Sequence, residues 1–248
     1  DSTSMQVDSL YINNGEQQMK LIGGVSETRD KSLSCMIQNI DISVLNPLIA
    51  QNGYQLQGEL NAYLRLLDVY DALNFSSYAN ITDVFINEED IGDIDLDAGW
   101  DNLDNAFEID LNSRYFDVKG NARPSENSMA LSILMENFGL SVLEPYTQSF
   151  GLHSMTGMLD GELHLNGSIS NPRIEGVLDF DRAGLTYELL QARFNLNDSV
   201  YIYTDSVVFD RFTVADAQDN EGVINGRLTH NKFKDIRYHF DIEMNNYH

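Results

Sequence analysis

GMLDGELHLNGSISNPRIEGVLDF, residues 157–180, decides the fold because its apolar and polar residues alternate one by one. Leu159, Gly161, Leu163 and Leu165 take the odd positions, against Asp160, Glu162, His164 and Asn166 on the even ones. After the break at Asn171-Pro172 the phase restarts, with Ile174, Gly176, Leu178 and Phe180 set against Arg173, Glu175, Asp179 and Asp181. A period of two belongs to strands with one buried face, whose successive side chains point to opposite sides.

The same pattern extends outward along the chain. Phe194 and Leu196 alternate with Arg193 and Asn195; Ile224, Gly226 and Leu228 with Asn225 and Arg227; Tyr238, Phe240, Ile242 and Met244 with Arg237, His239, Asp241 and Glu243. Turn residues punctuate these runs: Arg182-Ala183-Gly184, Asn197-Asp198, and Asp219 to Gly222. The expectation is an all-β antiparallel meander with one wet face and one or two short helices. Ser141 and Glu144 have capping-box spacing, with Pro145 falling in the first turn, which predicts a helix over 142–149. A further helix is expected over 67–79.

An internal repeat organises the chain. SLSCMIQNIDISVLNP at 32–47 matches ALSILMENFGLSVLEP at 130–145 at an offset of 98 (141 − 43). The repeat places a second short helix near 43–51 and aligns Cys35 with Ile133, as a small buried hydrophobe rather than a reactive thiol. Two sections follow, 1–127 and 128–248, each holding strands, a short helix and more strands. Repeats of this length in a β-protein build elongated stacks.

Composition excludes several functions. With 39 acidic against 15 basic residues the formal charge is −24, which repels nucleic acid phosphates and keeps exposed strand edges from pairing between copies. One cysteine permits no internal disulfide and forms no zinc pattern. No run approaches the roughly 18 apolar residues of a membrane-spanning helix. The first residues carry no signal segment, and the last ones still alternate, as in a mature or truncated fragment.

The block Gly157, Gly161, Gly167, Asn171, Pro172 and Gly176, preceded by Leu140 to Pro145, resembles the TamB family of bacterial envelope proteins, related to the AsmA-like group. Leu96 to Asn102, which includes Trp100, and Phe209 to Asp216 followed by Gly222 to His230 are similar to further family stretches. The likeness is good over 95–248 and looser before; in the first repeat no Asn-Pro pair follows Leu66. The resemblance implies a periplasmic protein anchored in the inner membrane by a segment outside this sequence. It implies an elongated, curved β-taco-like half-pipe with an apolar concave face. It also implies a role in moving phospholipid toward the outer membrane and in assembling outer-membrane β-barrel proteins, and it brings no catalytic residues.

On that reading Leu159, Leu163, Leu165, Ile174, Leu178, Phe180, Phe194, Leu196, Ile224, Leu228, Phe240 and Ile242 line a lipid groove. Each such side chain gains roughly 1.5–3 kcal/mol on burial, so either lipid or a second sheet must cover them. Alternation alone does not separate an open groove from a sealed sandwich, so a structural or partner-binding module stands as the second reading.

Sharper chemistry finds little support. Asp93, Asp95 and Asp97 have the spacing of a calcium loop, but the sixth position is Ala98 and the twelfth carries no Glu, so these residues read as a solvated strand face. His164 and His239 lie at polar strand positions, and no two histidines have helical ligand spacing. There is no Gly-x-Ser-x-Gly elbow, phosphate loop or dinucleotide fingerprint. The chain is therefore expected to be no enzyme and to use no cofactor or metal.

Overall fold

The computed structural model describes residues 4–26, 31–67, 74–102, 104–231 and 234–244. The chain forms two compact units, Asp1–Met129 and Ala130–His248. The first contains β1 (Ser4–Asn14), β2 (Gln17–Ser26), β3 (Ser32–Asp41), β4 (Leu56–Leu67), β5 (Asn74–Ile86), β6 (Glu89–Asp101), β7 (Ala106–Ser113) and β8 (Phe116–Arg123). Each pairs antiparallel with the next. The strand β9 (Ser128–Gly139) opens the second unit, followed by β10 (Leu152–Ser168), β11 (Asn171–Tyr187), β12 (Ala192–Leu196), β13 (Ser199–Tyr203), β14 (Ser206–Ala215), β15 (Glu221–Asn231) and β16 (Lys234–Met244).

The chain is thus all-β, an antiparallel meander in each unit. One departure from simple hairpins occurs in the second unit. β11 pairs along one half with β12 and along the other with β13, and both then pair with β14. β12 and β13 are two halves of one strand, jogged at Asn197-Asp198.

The repeat has a structural counterpart. Between β3 and β4 runs a helical segment made of a 3-10 turn (Ile42–Leu45), α1 (Asn46–Ile49) and a second 3-10 turn (Ala50–Asn52). Between β9 and β10 the same order recurs as Leu140–Leu143, α2 (Glu144–Thr147) and Gln148–Phe150. Pro47 and Pro145 sit in the first turn of α1 and α2, where a missing N–H costs little. Gly151 closes the second segment at φ 73°, a left-handed ending that favours glycine.

Two expectations are corrected. The capping box does not form: Ser141 lies inside the 3-10 turn, and the Glu144 carboxylate accepts the Met155 backbone N–H at 3.2 Å, tying the helical segment to β10. The helix expected over 67–79 is absent from its described part, because Leu67 ends β4 and Asn74 begins β5; residues 68–73 lie outside the described residues. The alternation of Asn74, Ser76 and Tyr78 with Phe75, Ser77 and Ala79 pairs residue by residue with β4 and β6, and the ladder overrides any local helical preference.

A second recurrent device runs through both units. Asn39, Asp83, Asn137, Arg182 and Arg211 sit in strands at positive φ, between 45° and 54°. In each case the backbone N–H at that residue is capped by a side chain of the next strand. Asn39 donates to Asn61, Asp83 to Asp93, Asn137 to Asp160, Arg182 to Asn197 and Arg211 to Asn225, all to Oδ1. The ladders shift register beside Asn39, Asp83 and Arg211, so these are β-bulges, which bend a strand and increase its twist. Asp198 extends the device in the second unit: its carbonyl accepts the Phe180 N–H and its carboxylate the Thr213 N–H.

Candidate functional site: an apolar sheet face

The second unit's strands bring most of the expected groove residues onto one face. Leu178, Phe180 and Leu196 pack both against a buried cluster of Leu140, Met155, Leu159 and Ala183 and against a second one of Val200, Phe212 and Val214; Ile224 joins the second. Aromatic rings link strands across this face. Phe180 meets Phe212 edge-on at 6.0 Å, Phe212 meets Phe209 at 5.3 Å, and Phe209 meets Phe240 at 5.3 Å.

The last contact spans an intervening strand, and Gly226 makes it possible. Phe209 and Phe240 are the two ladder partners of Gly226, one on each side. At φ 147° this glycine turns its bare face toward β16, where a Cβ would fall on the His239 carbonyl and within 2.8 Å of Phe240 Cδ1. The rings of its neighbours meet over the position its side chain leaves empty.

Exposure separates the expected residues into three groups. Leu159 is buried; Leu163, Leu165, Ile174, Leu178, Phe180, Phe194, Leu196, Ile224, Leu228 and Phe240 are half-buried; Ile242 is 53% exposed. Among the described residues no buried side chain is polar or charged. The face is therefore a hydrocarbon surface only partly withdrawn from water. Leu163, Leu165, Ile174, Phe194, Leu228 and Ile242 are outside both buried clusters.

The polar faces of the strands carry the acidic residues. Asp93, Asp95 and Asp97 are exposed while Ile94 and Leu96 between them are half-buried. Asp93 caps the Asp83 bulge, and Asp95 accepts hydrogen bonds from the Tyr78 hydroxyl and the Asn80 amide, both at 2.9 Å. These carboxylates serve the ladder. His164 lies exposed beside Glu162, at 3.3 Å. Cys35 is a free thiol, half-buried rather than fully enclosed, and burial pushes its pKa up, away from the reactive thiolate. Among the described residues no helix is long and apolar enough to cross a membrane.

Residues that sequence reading missed seal the inner part of this face: Met155, Ala183, Val200, Phe212 and Val214, none more than 7% exposed. Comparison with protein-family models, curated proteins and solved structures finds no match to this chain.

Proposed function

We propose that this chain is a section of a lipid conduit, carrying phospholipid acyl chains along an apolar β-sheet face. Its resemblance to the TamB family would place it in the periplasm, in the service of outer-membrane biogenesis. One observation carries the reading: the apolar face of the second unit is half-buried over most of its strands, with ten of the expected lining residues neither sealed nor freely solvated. A folded protein gains little by keeping so much contiguous hydrocarbon next to water, and such surfaces mark places where something binds.

Acyl chains suit the face chemically. Each methylene placed against it gains about 0.8 kcal/mol, so a long chain is held without any polar contact and can slide from site to site. A peptide strand lying on the same face would lose water from its amides and find no donor or acceptor in return. The headgroup stays at the rim in solvent.

Native mass spectrometry of the purified chain, followed by organic extraction, tests the reading. Phospholipid in stoichiometric amount is the expected result. A clean unliganded mass, with no uptake of a fluorescent fatty acid, would reassign the chain as a structural or partner-binding β-module.

A further inference from the structure

In the first unit β1 is an edge strand: among the described strands it pairs with β2 alone. One flank of its backbone is therefore a row of N–H and C=O groups that no described strand takes up. The side chains show the same open flank, on both faces of the strand at once. Leu10 and Ile12 are 48% and 56% exposed, whereas Leu21 and Met19 opposite them, and Cys35 and Ile37 one strand further, are half-buried. On the other face Tyr11 is 59% exposed and its ladder partner Lys20 half-buried. Exposure that falls one strand inward on both faces comes from the open flank of β1.

Proteins guard such edges with charges and bulges. β16, which has only β15 beside it among the described strands, carries exposed Asp235, Arg237, Asp241 and Glu243, and holds Asp235 at φ 51°. β1 has one charge, Asp8, at the register shift between Val7 and Leu10. Past that shift Leu10 to Asn14 is an uncharged run ending at the Gly15 turn. Charges around the strand balance: Lys20 lies 5.1 Å from the Tyr11 ring centre and Lys31 donates to Gln6 at 3.2 Å, against Asp8 and Glu16. This neutral edge belongs to a chain of formal charge −24.

We propose that the Leu10–Asn14 edge of β1 receives an extended segment of a separate polypeptide as an added strand. The backbone sets the class of occupant. An extended chain presents N–H and C=O groups at the spacing of the ladder; an acyl chain has none and would bury the flank's polar groups without partners. Side chains set its pattern, with apolar residues at alternate positions beside Leu10 and Ile12. Charge separates it from a second copy of this chain, which would bring another −24 to the contact. The assignment is independent of the conduit reading, since it uses the backbone of β1 and no residue proposed to touch lipid.

Amide hydrogen exchange of the full chain, read by nuclear magnetic resonance, tests it. The probe is a capped, uncharged peptide of alternating valine and threonine; the control is the same peptide N-methylated at every residue. Every second amide over residues 10–14 should slow about tenfold or more with the probe and not with the control, because a strand's N–H groups point alternately to its two flanks. Ile12→Lys, whose side chain is already largely in water, should keep the strand signal in circular dichroism and weaken the probe about fivefold, as charges at natural edges do. No slowing at any peptide concentration overturns the assignment. So does slowing that the N-methylated peptide reproduces, which would mean that side chains rather than the ladder hold the peptide. Slowing that grows with protein concentration in the absence of peptide would make a second copy the occupant and overturn it too. None of these outcomes bears on lipid in the native mass spectrum.

Discussion

The backbone N–H of Asn137, held at φ 53°, donates to Oδ1 of Asp160 on the neighbouring strand at 2.6 Å. A strand residue in the left-handed region leaves the ladder, and its N–H loses the regular partner. The side chain across the gap supplies that partner. Carboxamides do the same work at Asn39, Arg182 and Arg211, from Asn61, Asn197 and Asn225, and a second carboxylate, that of Asp93, does it at Asp83. Asp160→Ala is therefore expected to lower stability by about 1–2 kcal/mol, the cost of an unmatched backbone donor. Asp160→Asn is expected to recover most of it, since the amide oxygen accepts as the carboxylate does. Urea unfolding of the three proteins side by side checks this; equal losses for both substitutions would mean that the charge, not the acceptor, is what counts.

These bulges also explain what was legible in the sequence and what was not. A period of two identifies the strands and their turns, and the repeat at 32–47 and 130–145 finds both helical segments. Alternation fails at a bulge, because one extra residue reverses the phase of everything after it. In β11 the inward positions are even up to Phe180 and odd at Ala183, with Arg182 between. In β14 they are odd at Val207 and Phe209 and even at Phe212 and Val214, with Arg211 between. Ala183, Phe212 and Val214 escaped the sequence reading for that reason. Ile242 lies opposite Ile224 in the ladder, yet β16 has only β15 beside it among the described strands, and half of its side chain stays in water.

Gly226 offers a test of close approach. In Gly226→Ala the new methyl would meet the His239 carbonyl and displace the Phe240 ring, at a φ that side chains avoid. A loss of about 1–3 kcal/mol is expected from the strain alone. The Phe209–Phe240 contact breaks with it, so the near-ultraviolet circular dichroism should weaken in step. A variant as stable as the parent would show that β15 and β16 separate easily at this point.

Asp216 ties its own turn, and acid should release it. Its carboxylate accepts the Asn220 side-chain amide and the Asn220 and Gln218 backbone N–H groups at 2.8–2.9 Å, and these bonds, that of the Asn220 side chain foremost, lower its pKa. A folded-state pKa below the unfolded one means that the turn's stabilisation is present above the unfolded value and is lost as pH falls through the folded one. The amide resonances of Gln218 and Asn220 should thus titrate together, with a midpoint below the ordinary Asp value of about 3.9. A midpoint at the ordinary value would mean that the turn is open in solution.

Leu159 and Leu165 share a strand, a face and a residue type, and differ in burial alone. Leu159 is 3% exposed, in a cluster with Leu140, Met155 and Ala183; Leu165 is half-buried near the C-terminal end of β10. Leu159→Ala removes side-chain contacts and leaves a cavity that its neighbours cannot fill, so about 2–4 kcal/mol is expected. Leu165→Ala removes a side chain still in contact with water, and less than about 1 kcal/mol is expected. Thermal or urea unfolding of each variant, with and without phospholipid vesicles, separates the two roles. Lipid should raise the stability of the parent and of Leu159→Ala by the same increment, because a ligand stabilises through its affinity for the folded state. It should raise that of Leu165→Ala by less. Similar intrinsic losses at the two positions would show that the face is sealed along its whole length, and that its half-exposed leucines are core like any other.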